Sequence, residues 1–198
     1  MVNLTVEAGD FAAIVGASGS GKTTLLNLIG ALDAPTEGKV FFEGEDLTWD
    51  SPARLAEIRL RKIGFIFQAF NLIPVLTAYE NVEYVMLLQG VPARERKKKA
   101  LEALIEVGLK DCVNRRPLDL SSGQQQRVAV ARAIAAEPKI VLADEPTANL
   151  DSKTGAALME LLLYLNQSKG ITFLFSTHDP MIKKHAKMVI NLKDGRIV

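Results

Sequence analysis

Cysteine is nearly missing from this chain, with Cys112 the single one in 198 residues. One thiol excludes an internal disulfide and fits a reducing compartment, and Cys112 reads as a small, half-buried side chain. Long apolar runs are missing too. The longest candidate, residues 155–165, is interrupted by Glu160 and falls short of the roughly 18 residues a membrane span needs. Any membrane role is therefore expected to come through a partner. Charge of one sign is also lacking. Basic side chains number 24 and acidic ones 23, so a net charge of +1 provides no global field for nucleic acid. No internal repeat or low-complexity linker occurs. The start, Met1-Val2-Asn3-Leu4-Thr5-Val6, alternates apolar and polar residues like a strand and not like a signal peptide.

What is present is an ordinary globular composition, 48% hydrophobic and 24% charged, in a chain the size of one domain or one domain with an inserted lobe. Strand and helix signals alternate, which predicts an α/β fold with a largely parallel sheet. Strands are expected at residues 11–15, 39–43, 63–67, 140–143 and 171–175, with a hairpin at the tail, 188–198. Ser51 and Pro52 open a predicted helix to about Lys62. Thr77-Ala78-Tyr79-Glu80 has the capping-box pattern, predicting a helix to Gly90, and a second runs from Ala93 to about Val107. Residues 74–120 contain no strand signal and read as a helical lobe inserted between core segments 1–73 and 121–198. The run Arg94-Glu95-Arg96-Lys97-Lys98-Lys99 reads as a solvated helix face, with contact to anionic lipid head groups the other reading.

The strongest chemical signal is Gly16-Ala17-Ser18-Gly19-Ser20-Gly21-Lys22-Thr23, followed by Thr24. It fits G-x-x-x-x-G-K-[ST] between an apolar strand and a helix, the context of a phosphate-binding loop. Glycines let successive N–H groups turn toward phosphate oxygens, Lys22 can reach the β- and γ-phosphates, and the Thr23 hydroxyl can ligate Mg²⁺. The buried strand 140–143 ends in Asp144-Glu145. Asp144 there suits the metal, and Glu145 can polarise an attacking water. A Ser/Gly-rich turn, Leu120-Ser121-Ser122-Gly123-Gln124, opens another helix and is a second place suited to an anion.

Taken together, these residues resemble the ATP-binding subunits of ABC transporters. Leu120 to Gln124 is similar to the family's Leu-Ser-Gly-Gly-Gln signature. The phosphate loop, Gln68, the signature, Asp144-Glu145, Ala148-Asn149-Leu150-Asp151 and His178 fall in the family's order along the whole chain. Residues 32–38, 67–74 and the run Gln124-Gln125-Gln126-Arg127 resemble its lipoprotein-release and macrolide-export branch, with the cell-division relative close by. The resemblance implies a P-loop NTPase core of RecA type with an antiparallel portion, ATP and Mg²⁺ as ligands, and ATP hydrolysis. It further implies two copies meeting head to tail, so that ATP lies between Lys22 of one and Ser121, Ser122, Gly123 and Gln124 of the other. Gln68, with Thr23 and Asp144, is implied at the Mg²⁺, Glu145 and His178 at the γ-phosphate, and Asp151 at the dimer interface. A membrane permease is implied in a groove near Phe70 to Glu83, placing the chain at the cytoplasmic face of the inner membrane without nucleic acid.

Two departures stand out. Ser122 replaces the signature's first glycine, putting a side chain into a tight turn, but serine is a good helix N-cap and is expected to be tolerated there. The family's upstream strand, with an aromatic residue that stacks on adenine, has no counterpart before Phe11, so Met1 is expected to be an internal start of a longer protein. Alternative functions share the motifs. One is a regulator acting through membrane partners on cell-wall enzymes. Another is a DNA-repair or chromosome-organising head, but only 99 positions separate Lys22 from Ser121, with no sustained heptads between them.

Overall fold

The computed structural model describes residues 2–198, so Met1 of the expected first strand lies outside the described residues. Strands β1 (Phe11–Val15), β2 (Phe41–Phe42), β3 (Glu45–Asp46), β4 (Ile63–Ile66), β5 (Ile140–Asp144), β6 (Thr172–Thr177), β7 (Met188–Lys193) and β8 (Arg196–Ile197) form two sheets. The larger has six strands in the order β4-β5-β6-β1-β7-β8, parallel except for β8. Every residue of β1 and β6 is buried, the pattern of parallel strands covered on both faces. Phe11 packs tilted against Phe175 with ring centroids 4.6 Å apart. Phe175→Ala would cost about 3–5 kcal/mol. Register aligns Val15 with Thr177 and Asp144 with Ser176, so the loops after β1, β5 and β6 leave one edge of the sheet. Ligands of open α/β sheets bind at that carboxyl edge.

Helices α1 (Lys22–Ile29), α2 (Pro52–Lys62), α3 (Ala78–Leu88), α4 (Ala93–Glu106), α5 (Ser122–Ala135), α6 (Ser152–Lys169) and α7 (Pro180–His185) complete the fold. Their ends follow local chemistry. Ser51 accepts from the Arg54 N–H with Pro52 at the first helical position, Thr77 and Glu80 cap α3 reciprocally, and Gly170, at φ 65°, ends α6. No strand interrupts the stretch from α3 to α5, and both α3 and α4 pack on α5. Val82, Met86 and Leu104 share one apolar cluster with Val128 of α5 and with Phe11 and Phe173 of the sheet. The basic run on α4 is largely tied up locally: Arg96 pairs with Glu83, Lys98 with Glu102, and Lys99 with Glu95 and Glu137.

Two expectations need correction, and one helix lies outside them. Val2, Leu4 and Val6 alternate inward onto the apolar cluster that holds Ile14 and Leu26, but residues 2–6 form no strand. Alternation reports which side chains are buried, whereas a strand needs ladder partners, and among the described residues none pairs with this segment. The strand expected at 39–43 shrinks to Phe41–Phe42, because Glu43 and Gly44 turn the chain at φ 50° and 81° and return it as β3. Two successive positive φ values make the tight hairpin turn whose twist suits paired strands. Helix α7 was not foreseen, although Asp179 and Pro180 form an ordinary cap and first position.

Candidate functional site

Loop 16–21 joins β1 to α1 at the carboxyl edge. Gly19 and Gly21 take φ values of 78° and 101°, which L side chains rarely adopt, and a Cβ on Gly16 would lie 2.3 Å from the Leu192 carbonyl oxygen. No side chain caps α1, and the Ser20 hydroxyl is buried without a partner. Unpaired donors curled around a cationic Lys22 fit a polyphosphate. The Lys22 ammonium donates to the carbonyls of Gly16 at 2.9 Å and Ala17 at 3.2 Å and lies 3.9 Å from Glu145 Oε1. Thr24, the third residue of α1, is exposed beside it.

The Thr23 hydroxyl donates to Asp144 Oδ2 at 3.1 Å, bringing together the two side chains expected at the metal. Hydroxyl and carboxylate are hard oxygen donors, the set that Mg²⁺ takes while keeping phosphate and water ligands. Among the described residues no group of three or more His, Cys, Asp or Glu side chains could hold a metal by themselves.

Glu145 turns away from Asp144 because its φ is 44°, left-handed for a non-glycine residue. Its N–H donates to the Ser176 carbonyl at 2.8 Å, and its carboxylate accepts from Thr177 Oγ1 at 3.2 Å and meets His178 Nδ1 at 2.8 Å. The sequence thus places Glu145 and His178 33 positions apart, and the parallel pairing of β5 with β6 brings them into contact. Gln68 follows β4 and is fixed by its backbone, whose carbonyl accepts from Asn149 Nδ2 at 2.9 Å. No hydrogen bond joins the Gln68 amide to Thr23, Asp144 or Glu145 among the described residues.

The signature has a different setting. Ser121 is the N-cap of α5, its Oγ accepting from the Gln124 N–H while Gln124 Oε1 accepts from the Ser121 N–H. Ser122 is the exposed first residue of the helix, so the tight turn expected there is absent and its side chain meets no strain. Gly123 is constrained by packing instead, since a Cβ would lie 2.3 Å from Thr154 Cγ2. Thr154 in turn donates to Asp151, the exposed N-cap of α6. That hydroxyl bond, then the backbone N–H bonds, hold the Asp151 carboxyl below its ordinary range. No hydrogen bond or ion pair links residues 121–124 to the phosphate loop of the same chain, among the described residues.

Residues 1–148 match the family described as ABC transporter. The chain belongs to this family. It is 46% identical to the lipoprotein-releasing system ATP-binding protein LolD of Aquifex aeolicus, over 100% of this chain and 88% of that protein. It is likewise 46% identical to the macrolide export ATP-binding/permease protein MacB of Brucella melitensis, covering 100% of this chain but 30% of that larger protein. Both relatives agree with the branch read from the sequence. Among solved structures, the dimeric post-hydrolysis state of the ATP-binding cassette MJ0796, bound to ADP and Pi, superposes with a TM-score of 0.90. That cassette is 48% identical, over 99% of this chain and 86% of the other. The chain is therefore an ABC ATPase domain, with the P-loop NTPase core of the family.

Two side chains that arrange the site carried no signal of their own: Thr177 acts through a contact made only in the fold, as does Thr147, which donates to Asp179 at 2.7 Å. Asn149 belongs to the motif at 148–151, but only the fold shows that it reaches the Gln68 loop. Phe11 is 1% exposed within the core and offers no face to a base.

Proposed function

We propose that this chain is the ATP-hydrolysing motor subunit of a membrane transporter, working as a head-to-tail pair of copies. The observation that carries the reading is the separation of two half-sites. Lys22, Thr23, Asp144, Glu145 and His178 converge at one edge of the sheet, while the signature is a self-capped helix start that, among the described residues, shares no hydrogen bond or ion pair with them. A second copy, turned head to tail, supplies Ser121 and the Gly123 N–H to the γ-phosphate at the end of α5, where the helix dipole favours an anion. The dimeric state of the 48% identical cassette supports that pairing.

In the completed site Lys22 and the loop N–H groups hold the β- and γ-phosphates, and Glu145 takes up a proton of the attacking water. His178 keeps Glu145 aimed and donates toward the γ-phosphate. Asp151 lies at the pair's interface. Thr23, Asp144 and the Gln68 amide would hold Mg²⁺, which neutralises charge on the β- and γ-oxygens when bound. Losing the γ-phosphate removes the ligand that bridges the copies, and the pair opens.

The partner pulled by that motion is a permease. No helix among the described residues is long and apolar enough to cross a membrane. A cleft of about 340 Å³ lies beside the Gln68 loop, lined by Leu32, Phe65, Phe67 and Val85 with Arg59 and Arg132, and it suits a docking segment of such a protein. Docking there places the chain peripherally at the cytoplasmic face of the inner membrane. The test is Glu145→Gln, which keeps ATP bound. It is expected to elute as a dimer with ATP and a monomer with ADP, and a monomer in both nucleotides would sink the sandwich.

A further inference from the structure

Helix α5 starts at the signature and ends beside the Gln68 loop, and two of its side chains sit where folding alone disfavours them. Gln126 is fully buried, its Nε2 donating to the Pro146 carbonyl at 2.7 Å while its Oε1 has no partner among the described residues. A leucine would fill similar space without stranding an acceptor. Arg132 donates to the carbonyls of Asn71 at 2.5 Å and Phe70 at 2.9 Å and, among the described residues, pairs with no carboxylate. Burial alone weakens its hold on its proton, since nothing acidic offsets the loss of water.

Both of these unfavourable groups end on loops that carry reacting side chains. Pro146 directly follows Glu145, and Phe70 and Asn71 lie just beyond Gln68 at φ 61° and 50°. Non-glycine residues persist in left-handed backbone only where their surroundings hold them, so these contacts bear on loop placement. Asn149 joins the two loops by donating to the Gln68 carbonyl. Helix α5 is a stiff connection that carries Gln126 about 8 Å and Arg132 about 17 Å along its axis from Ser121.

We propose that Gln126 and Arg132 are positioning residues through which α5 places Glu145 and Gln68 of one ATP site according to whether Ser121 is engaged by the nucleotide of the other. This rests on the head-to-tail pair proposed above. Each copy then reads one nucleotide at the start of α5 and adjusts its own hydrolytic loops further along, so the two sites hydrolyse cooperatively.

Gln126→Leu and Arg132→Met remove the loop contacts while keeping similar volume, and ATPase rate is measured against ATP concentration. The kcat of each is expected to fall about tenfold or more, since misplacing a reacting group by about 1 Å costs up to about 100-fold. The Hill coefficient is expected to drop from about 2, the ceiling for two sites, toward 1. Arg132→Lys, with one compact head for two carbonyls, should restore only part of the loss. Val130→Ala, in the buried core beside them, should lower the melting temperature and keep the wild-type coefficient. In the Glu145→Gln background both variants should still form the ATP dimer. Wild-type kcat and coefficient in either folded variant would overturn the proposal. So would equal loss of the coefficient in Val130→Ala, or a wild-type protein without cooperativity. A Glu145→Gln protein that stays monomeric in ATP with α5 intact refutes the pair itself, and this proposal with it.

Discussion

The phosphate-loop edge and the signature end of α5 are both helix starts suited to an anion, yet they are built oppositely. At α1 the first turn has no cap, Ser20 is an orphan and Lys22 is folded back on loop carbonyls, so the backbone donors stay available. At α5 the capping box satisfies Ser121 and Gln124 against each other. One end is left open for a ligand at the expense of its own stability, and the other is a stable presenting surface. A capped helix start can hold its shape while exposed, which a surface meeting another molecule requires. An uncapped one gains its missing partners only when nucleotide binds.

Changes at the two ends should therefore differ in kind. The largest effect is expected from Glu145→Gln, which removes the proposed base while keeping the shape; loss of general base catalysis lowers kcat by about 10²–10⁴-fold. Steady-state phosphate release checks it, and turnover near wild type would remove Glu145 from that role. Next comes Lys22→Ala. Losing a charge-assisted contact costs about 1.5–3 kcal/mol, which weakens ATP binding about tenfold or more in a calorimetric titration.

The signature end should separate stability from function. Ser121→Ala deletes the cap and should cost about 0.5–2 kcal/mol of folding stability, whereas Ser121→Gly should cost only a few tenths. Both should impair hydrolysis by the pair and leave ATP affinity of a single copy unchanged. Weakened single-copy binding in Ser121→Gly would mean that the signature serves its own chain's nucleotide. The smallest effect is pH-dependent. The folded Asp151 carboxyl lies below 3.8, so its cap contributes stability above that value and loses it as the pH falls through the lower folded value. Asp151→Asn should flatten this part of the acid melting curve, and an unchanged acid limb would show that the cap bonds do not favour the charged form.

The chemistry-bearing segments were legible because each is local. A glycine loop between an apolar strand and a helix, an acidic pair at a strand end, and Thr77 with Glu80 all act within a few residues of themselves. Two misreadings concern partners and one omission concerns length. Val2, Leu4 and Val6 look like a strand until a neighbour is sought, β2 looks longer than it is because its return strand β3 is only two residues long, and α7 is too short to stand out. Gln126 and Arg132 were unreadable as positioning groups for a related reason. Polar residues in an amphipathic helix normally face solvent, and only packing shows that these two reach Pro146 and the carbonyls of Phe70 and Asn71.

By itself the sequence determined the α/β class, the family, the order of the motifs and the caps that start α2 and α3, since these depend on residue type and short spacing. Only the tertiary structure decided that Glu145 meets His178, that Thr23 meets Asp144, and that Gly123 has no room for a Cβ against Thr154. Those contacts join residues far apart in the chain. They exist because strand order and register bring distant loops to one edge, and nothing in the spacing of residues along the chain encodes that order.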